Sequence, residues 1–151
     1  MTTKYSLTVL LLIILSCGQE QNAKQPEPVP IVGTWKLISA TTIKEDSTIS
    51  SDLSNRSMIK IINASHFAFL NHDLNEGKDS LAFFASGGGK YNLENNKYTE
   101  YLEYCNFRNW EGNTFEFTVE VRGDTLIQSG IEKVDEADVD HKIIETYIRF
   151  K

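Results

Sequence analysis

At 151 residues, with 24% charged and 40% hydrophobic side chains, the chain has the size and mix of one globular domain and is not wholly disordered. Its net charge of −6 excludes a general nucleic-acid binder, which needs a cationic face. Two cysteines cannot make a disulfide scaffold or a four-thiolate metal site. The chain opens with a single positive charge, Lys4, and then runs through Leu7-Thr8-Val9-Leu10-Leu11-Leu12-Ile13-Ile14-Leu15. This stretch matches the apolar region of a secretory signal, and as a helix it spans only ~14 Å, about half of a bilayer core. The competing reading, a buried helix of the folded domain, fits poorly with the polar, proline-rich chain that follows at once.

Ile14-Leu15-Ser16-Cys17-Gly18 resembles the lipobox of bacterial lipoproteins, although Leu15 is bulkier than the residue usual there. The resemblance implies a signal peptide over residues 1–16 and lipidation of Cys17, with the membrane as partner through that anchor. Each acyl CH₂ buried in the bilayer contributes ~0.8 kcal/mol, so several chains hold firmly. Gly18 is not the aspartate that retains lipoproteins in the inner membrane of some bacteria. The expected address is therefore the outer membrane of the cell envelope, on its periplasmic or its surface face. The alternative is a cleaved signal and a free secreted protein. Residues 17–30 then read as the lipidated Cys and a flexible tether: Gln, Asn, Lys and Glu dominate, and Pro26, Pro28 and Pro30 alternate.

The domain proper is expected over residues 31–151, which hold both Trp, all eight Phe and no proline. Its pattern has a period of two. Predicted strands are Ile31–Ser39, Met58–Ile62, His66–Leu70, Leu81–Ala85, Tyr98–Cys105, Thr114–Val121, Thr125–Ile131 and Ile143–Phe150. Asn63-Ala64 and Gly123-Asp124 are the hairpin turns. The fold class is all-β: a small antiparallel up-and-down barrel of eight or nine strands, whose closure removes exposed edges.

Gly33-Thr34-Trp35 looks like the Gly-x-Trp opening of lipocalins, and Ser86-Gly87-Gly88-Gly89-x-Tyr91, Tyr98-Thr99-Glu100-x-x-Glu103-Tyr104, Gly123-Asp124-Thr125 and Gln128-Ser129-Gly130 resemble a lipocalin-like domain of bacterial lipoproteins. Leu126 and Tyr147 stand where that resemblance leads one to expect tryptophan. By resemblance, Gly33, Trp35 and Arg149 close one end of the barrel, the guanidinium packing over the indole. The family implies fold and address more than activity.

Strand parity gives the candidate site. Tyr98, Glu100, Leu102 and Tyr104 share one face, His66 shares one with Ala68 and Leu70, Gln128 with Leu126, and Glu145 with Tyr147 and Arg149. The expectation is a lumen in which His66, Tyr98, Glu100, Tyr104, Gln128 and Glu145 meet a small, partly apolar ligand. The bland alternative is that these groups satisfy one another or face water, and a register slip of one residue reverses every assignment. No cofactor or metal is expected. Gly87-Gly88-Gly89-Lys90 lacks the spacing of a phosphate loop and reads as a bulge or bend, and Arg122-Gly123-Asp124 reads as a turn. The acidic run Asp135–Asp140 lacks calcium-loop spacing and reads as a solvated hairpin tip. Cys105 reads as a small buried hydrophobe, and with His66, His72 and His141 scattered an enzyme is not expected. The alternative function is a solid barrel whose outer surface binds an envelope protein, as an interaction or inhibitor module; cavity volume separates the two.

Overall fold

The computed structural model describes residues 29–151; the signal-like segment, Cys17 and the tether to residue 28 lie outside the described residues. The described residues form ten strands: β1 (Gly33–Lys44), β2 (Ser47–Ser50), β3 (Arg56–Ile62), β4 (His66–Asp73), β5 (Phe84–Glu94), β6 (Lys97–Tyr101), β7 (Tyr104–Cys105), β8 (Thr114–Arg122), β9 (Thr125–Val134) and β10 (Val139–Arg149). Eight of them pair in the order β10-β9-β8-β6-β5-β4-β3-β1, and β10 returns to pair with β1. Every pairing is antiparallel, so the sheet closes into an up-and-down barrel, the expected fold class. The short β2 folds back on β1, and β7 adds to β5. Among the described residues the only helical element is a 3-10 turn, Asp135–Ala137, and no helix is long and apolar enough to cross a membrane.

The two ends differ. At one end, here the base, strands turn tightly at Asn63–Ser65, Asn95-Asn96 and Gly123-Asp124, where Asn95 and Gly123 take positive φ as such turns require. At the other end, the mouth, the connections over residues 74–83 and 106–113 are longer. The base is filled. Trp35, Ile62, Phe67, Tyr98, Phe117, Val119, Leu126 and Tyr147 are buried in one cluster, Trp35, Leu126 and Tyr147 completely. The Trp35 indole donates to the Ile31 carbonyl at 2.7 Å, and the Arg149 guanidinium lies 4.1 Å from its ring centroid. Arg149 also donates to the Val32 carbonyl, and a Cβ on Gly33, at φ +148°, would strike that guanidinium. Val29 packs against the same cluster.

Two expected strands are redrawn. Leu81 is exposed in the β4–β5 connection, and β5 begins only at Phe84. The run from Tyr98 to Cys105 breaks after Tyr101, where the Glu103 amide bonds to the Tyr101 carbonyl and separates β6 from β7. The glycine run lies inside β5. There a Cβ on Gly89 would overlap the Tyr101 carbonyl oxygen, so glycine lets the backbone beyond β6 cross close to β5.

Candidate functional site

Neighbouring ladders put Lys60 and Met58 of β3, Phe67, Phe69 and Asn71 of β4, and Ala85 of β5 inside the barrel. Tyr98 and Glu100 of β6, Phe115 and Phe117 of β8, Gln128 and Glu132 of β9, and His141, Glu145 and Tyr147 of β10 face the same interior. Above the packed base these side chains leave a cavity of about 240 Å³. Met58, Phe69, Ala85, Phe107 and Trp110 supply its apolar wall, and Lys60, Asn71, Glu100, Gln128, Glu132 and Glu145 its polar one. Phe107 and Trp110 come from the β7–β8 connection at the mouth, where Trp110 lies 6.0 Å from Phe115, centroid to centroid.

The polar groups form a chain. Lys60 Nζ donates to Glu100 Oε1 at 2.8 Å and to Gln128 Oε1 at 2.9 Å, and Lys60 is only 2% exposed. Its ammonium also lies 5.6–6.0 Å from the ring centroids of Phe67, Tyr98, Phe117 and Tyr147, in an aromatic cage. Gln128 Nε2 donates to Glu145 Oε2 at 3.4 Å, which also accepts the Tyr147 hydroxyl at 2.6 Å. Nearer the mouth, Glu132 pairs with His141 at 3.2 Å. A buried ion pair gains little over an apolar pair, yet removing one partner costs about 3–5 kcal/mol, so Lys60 and Glu100 are mutually obligatory.

One ammonium and three carboxyls line this space. Burial and the nearby Glu145 push the Glu132 carboxyl up to about 7. Burial also raises Glu145, against the opposing pull of Lys60 and the Tyr147 hydroxyl. The Tyr98 and Tyr147 phenols are raised well above their usual range by burial and adjacent carboxylates, so both stay protonated. Among the described residues two buried polar atoms have no hydrogen-bond partner: the Tyr98 hydroxyl and the Asn71 side-chain oxygen. Among the described residues no group of His, Cys, Asp and Glu is arranged to hold a metal ion.

The expected site residues separate into two sets. Tyr98, Glu100, Gln128 and Glu145 come together inside the barrel. His66 and Tyr104 do not, and both placements are corrected. His66 is opposite Lys90 on the outer face, because Phe67, Phe69 and Asn71 take the inner positions of β4. Tyr104 is 68% exposed, because the break at Leu102-Glu103 resets the alternation and turns Cys105 inward instead. Both residues border a shallow exterior groove along β4, β5 and β7. Sequence reading missed Lys60, Asn71, Glu132, His141, Phe107 and Trp110. Lys60 had a signal: it is the lone charge in Met58-Ile59-Lys60-Ile61-Ile62, in phase with Met58 and Ile62. Glu132 and His141 continue the inward parity of Gln128 and Glu145. The loop residues carried no periodic signal.

No protein-family model and no curated protein matches the chain.

Proposed function

We propose that the chain is a membrane-anchored lipoprotein whose barrel binds a small, partly apolar ligand in its lumen. The observation that carries this reading is the division of the interior. The base is packed solid, yet a cavity remains toward the mouth, with an apolar wall, a polar wall and, on Asn71, an unpartnered acceptor. Ligand sites have this composition. At about 240 Å³ the cavity suits a ligand smaller than a typical drug. Burial of apolar ligand surface contributes ~25 cal/mol per Å², and the polar chain from Lys60 to Glu145 sets orientation. The anchor rests on the Cys17 lipobox resemblance, as does the outer-membrane address. Resemblance to lipocalin-like domains supports the same lumen.

A second reading has an observation of its own. The exterior groove is flanked by exposed Leu70 and Tyr104, an apolar surface on which an envelope protein could dock.

Native mass spectrometry of the full chain isolated from cells separates the two. Ala85 lines the cavity, and Ala85→Trp would fill it. The lumen reading predicts a small-molecule adduct on the wild type and none on the variant. A protein partner retained equally by both, with no adduct, would favour the groove. Cys17→Ser should abolish acylation and move the chain from the membrane to the soluble fraction; unchanged partitioning would remove the anchor.

A further inference from the structure

Granting the lumen reading of the preceding section, we infer that its ligand is a small organic cation: an ammonium group carrying an aromatic or alkyl portion.

Glu100 already has its counter-ion, since Lys60 Nζ is 2.8 Å away and is held there by Gln128 and four aromatic rings. Glu145 and Glu132 have no ammonium or guanidinium of their own inside the barrel. Glu145 has two neutral donors, Tyr147 and Gln128, and Glu132 has the imidazole of His141. A carboxylate taken from water without a counter-charge is costly. An incoming ammonium supplies that missing charge, whereas an incoming carboxylate adds a fourth negative group.

The unpartnered acceptor points the same way. The Asn71 side-chain oxygen, on the cavity wall, is an acceptor with no donor, while the hydroxyl of the buried Tyr98 faces the Glu100 carboxylate below. An ammonium has three donors and no acceptor. The apolar wall, with Trp110 and Phe107 lining it at the mouth, then takes the rest of the molecule. A bare metal ion is the weaker occupant, because the carboxyls are not grouped for coordination and half of the wall is apolar.

Charged and titratable groups approach the cavity from few elements. They are Lys60 on β3, Tyr98 and Glu100 on β6, Cys105 on β7, Glu132 on β9, and His141, Glu145 and Tyr147 on β10. Asp73 at the upper end of β4 is engaged by the backbone amides of Asn75, Gly77 and Phe83. The inner faces of β1 and β8 contribute no charge in this region. With Glu132 titrating near 7 and Glu145 raised, a cation binds better as pH rises and these carboxyls ionise. A primary ammonium itself stays charged throughout that window.

The test uses three probes on the full chain by isothermal titration calorimetry: 2-phenylethylamine, 2-phenylethanol and 3-phenylpropionate. The amine should bind about tenfold or more tighter than the alcohol at about pH 8, and should weaken toward about pH 6 with proton release on binding. Glu132→Gln and Glu145→Gln should each cost the amine about tenfold and the alcohol much less, with an intact fold checked by far-UV circular dichroism. Equal or better binding of the alcohol or the carboxylate would overturn the cation while leaving a lumen that binds ligands. No binding of any probe would overturn both.

Discussion

Glu132 shows how one residue links burial to pH. Its carboxyl is raised to about 7 in the folded barrel, from an ordinary value of 4.5. Between those values the folded state holds a proton that the unfolded state has released. This contribution to stability is fully present below the unfolded value and is lost as pH rises through the folded one. The lost stabilisation is on the order of 3 kcal/mol by about pH 8. Glu145 is raised for the same reason and adds the same sign. Asp73 runs the other way, since backbone amides lower it, but its effect falls below the ordinary carboxylate range. Urea unfolding at about pH 5 and about pH 8 should show the wild type weaker at the higher pH, with the difference reduced in Glu132→Gln and the remainder carried by Glu145. Equal slopes for the two proteins would place Glu132 in water. None of this was legible from composition, because a glutamate on a strand reads as solvated unless its neighbours fix the phase.

Strands explain which part of the site sequence reading reached. β9 and β10 are long, uninterrupted and paired over ten positions, so parity carried from Leu126 to Gln128 and from Arg149 to Glu145 without error. β6 ends after five residues, and the alternation past Tyr101 no longer predicts facing. That single break put Tyr104 outside. On β4 two phenylalanines compete with His66, Ala68 and Leu70 for the interior, and burial of aromatic surface decides the register. β2, all exposed, has no apolar alternation to betray it. The glycines of β5 were legible as a bend but not in their purpose, which depends on the Tyr101 carbonyl crossing from the next strand. Gly89→Val should therefore destabilise the domain by about 1–3 kcal/mol or more through overpacking. Gly112→Ala has no atoms in its way and meets only the strain of φ +84°, so it serves as the comparison in the same denaturation series. Similar losses from the two would mean β5 and the chain after β6 do not approach closely.

At the scale of the molecule, the barrel is two structures in one wall. The base is a core, closed by Trp35 under Arg149 and sealed by short turns. The upper interior exchanges apolar packing for a chain of charges and a space. Alternation and turn chemistry predicted the closed barrel, because closure is what a run of antiparallel hairpins with one apolar face requires. Cavity volume was beyond that reading, since it depends on how Phe69, Phe107 and Trp110 meet across strands and loop. The most direct test is an amide and indole ¹H–¹⁵N spectrum of the full chain titrated with 2-phenylethylamine. Binding in the lumen predicts shifts of the Trp110 indole and of Met58, Ala85, Gln128 and Glu132, with His66 and Tyr104 unmoved. Shifts confined to His66, Tyr104 and the outer groove, or no shifts at all, would contradict it.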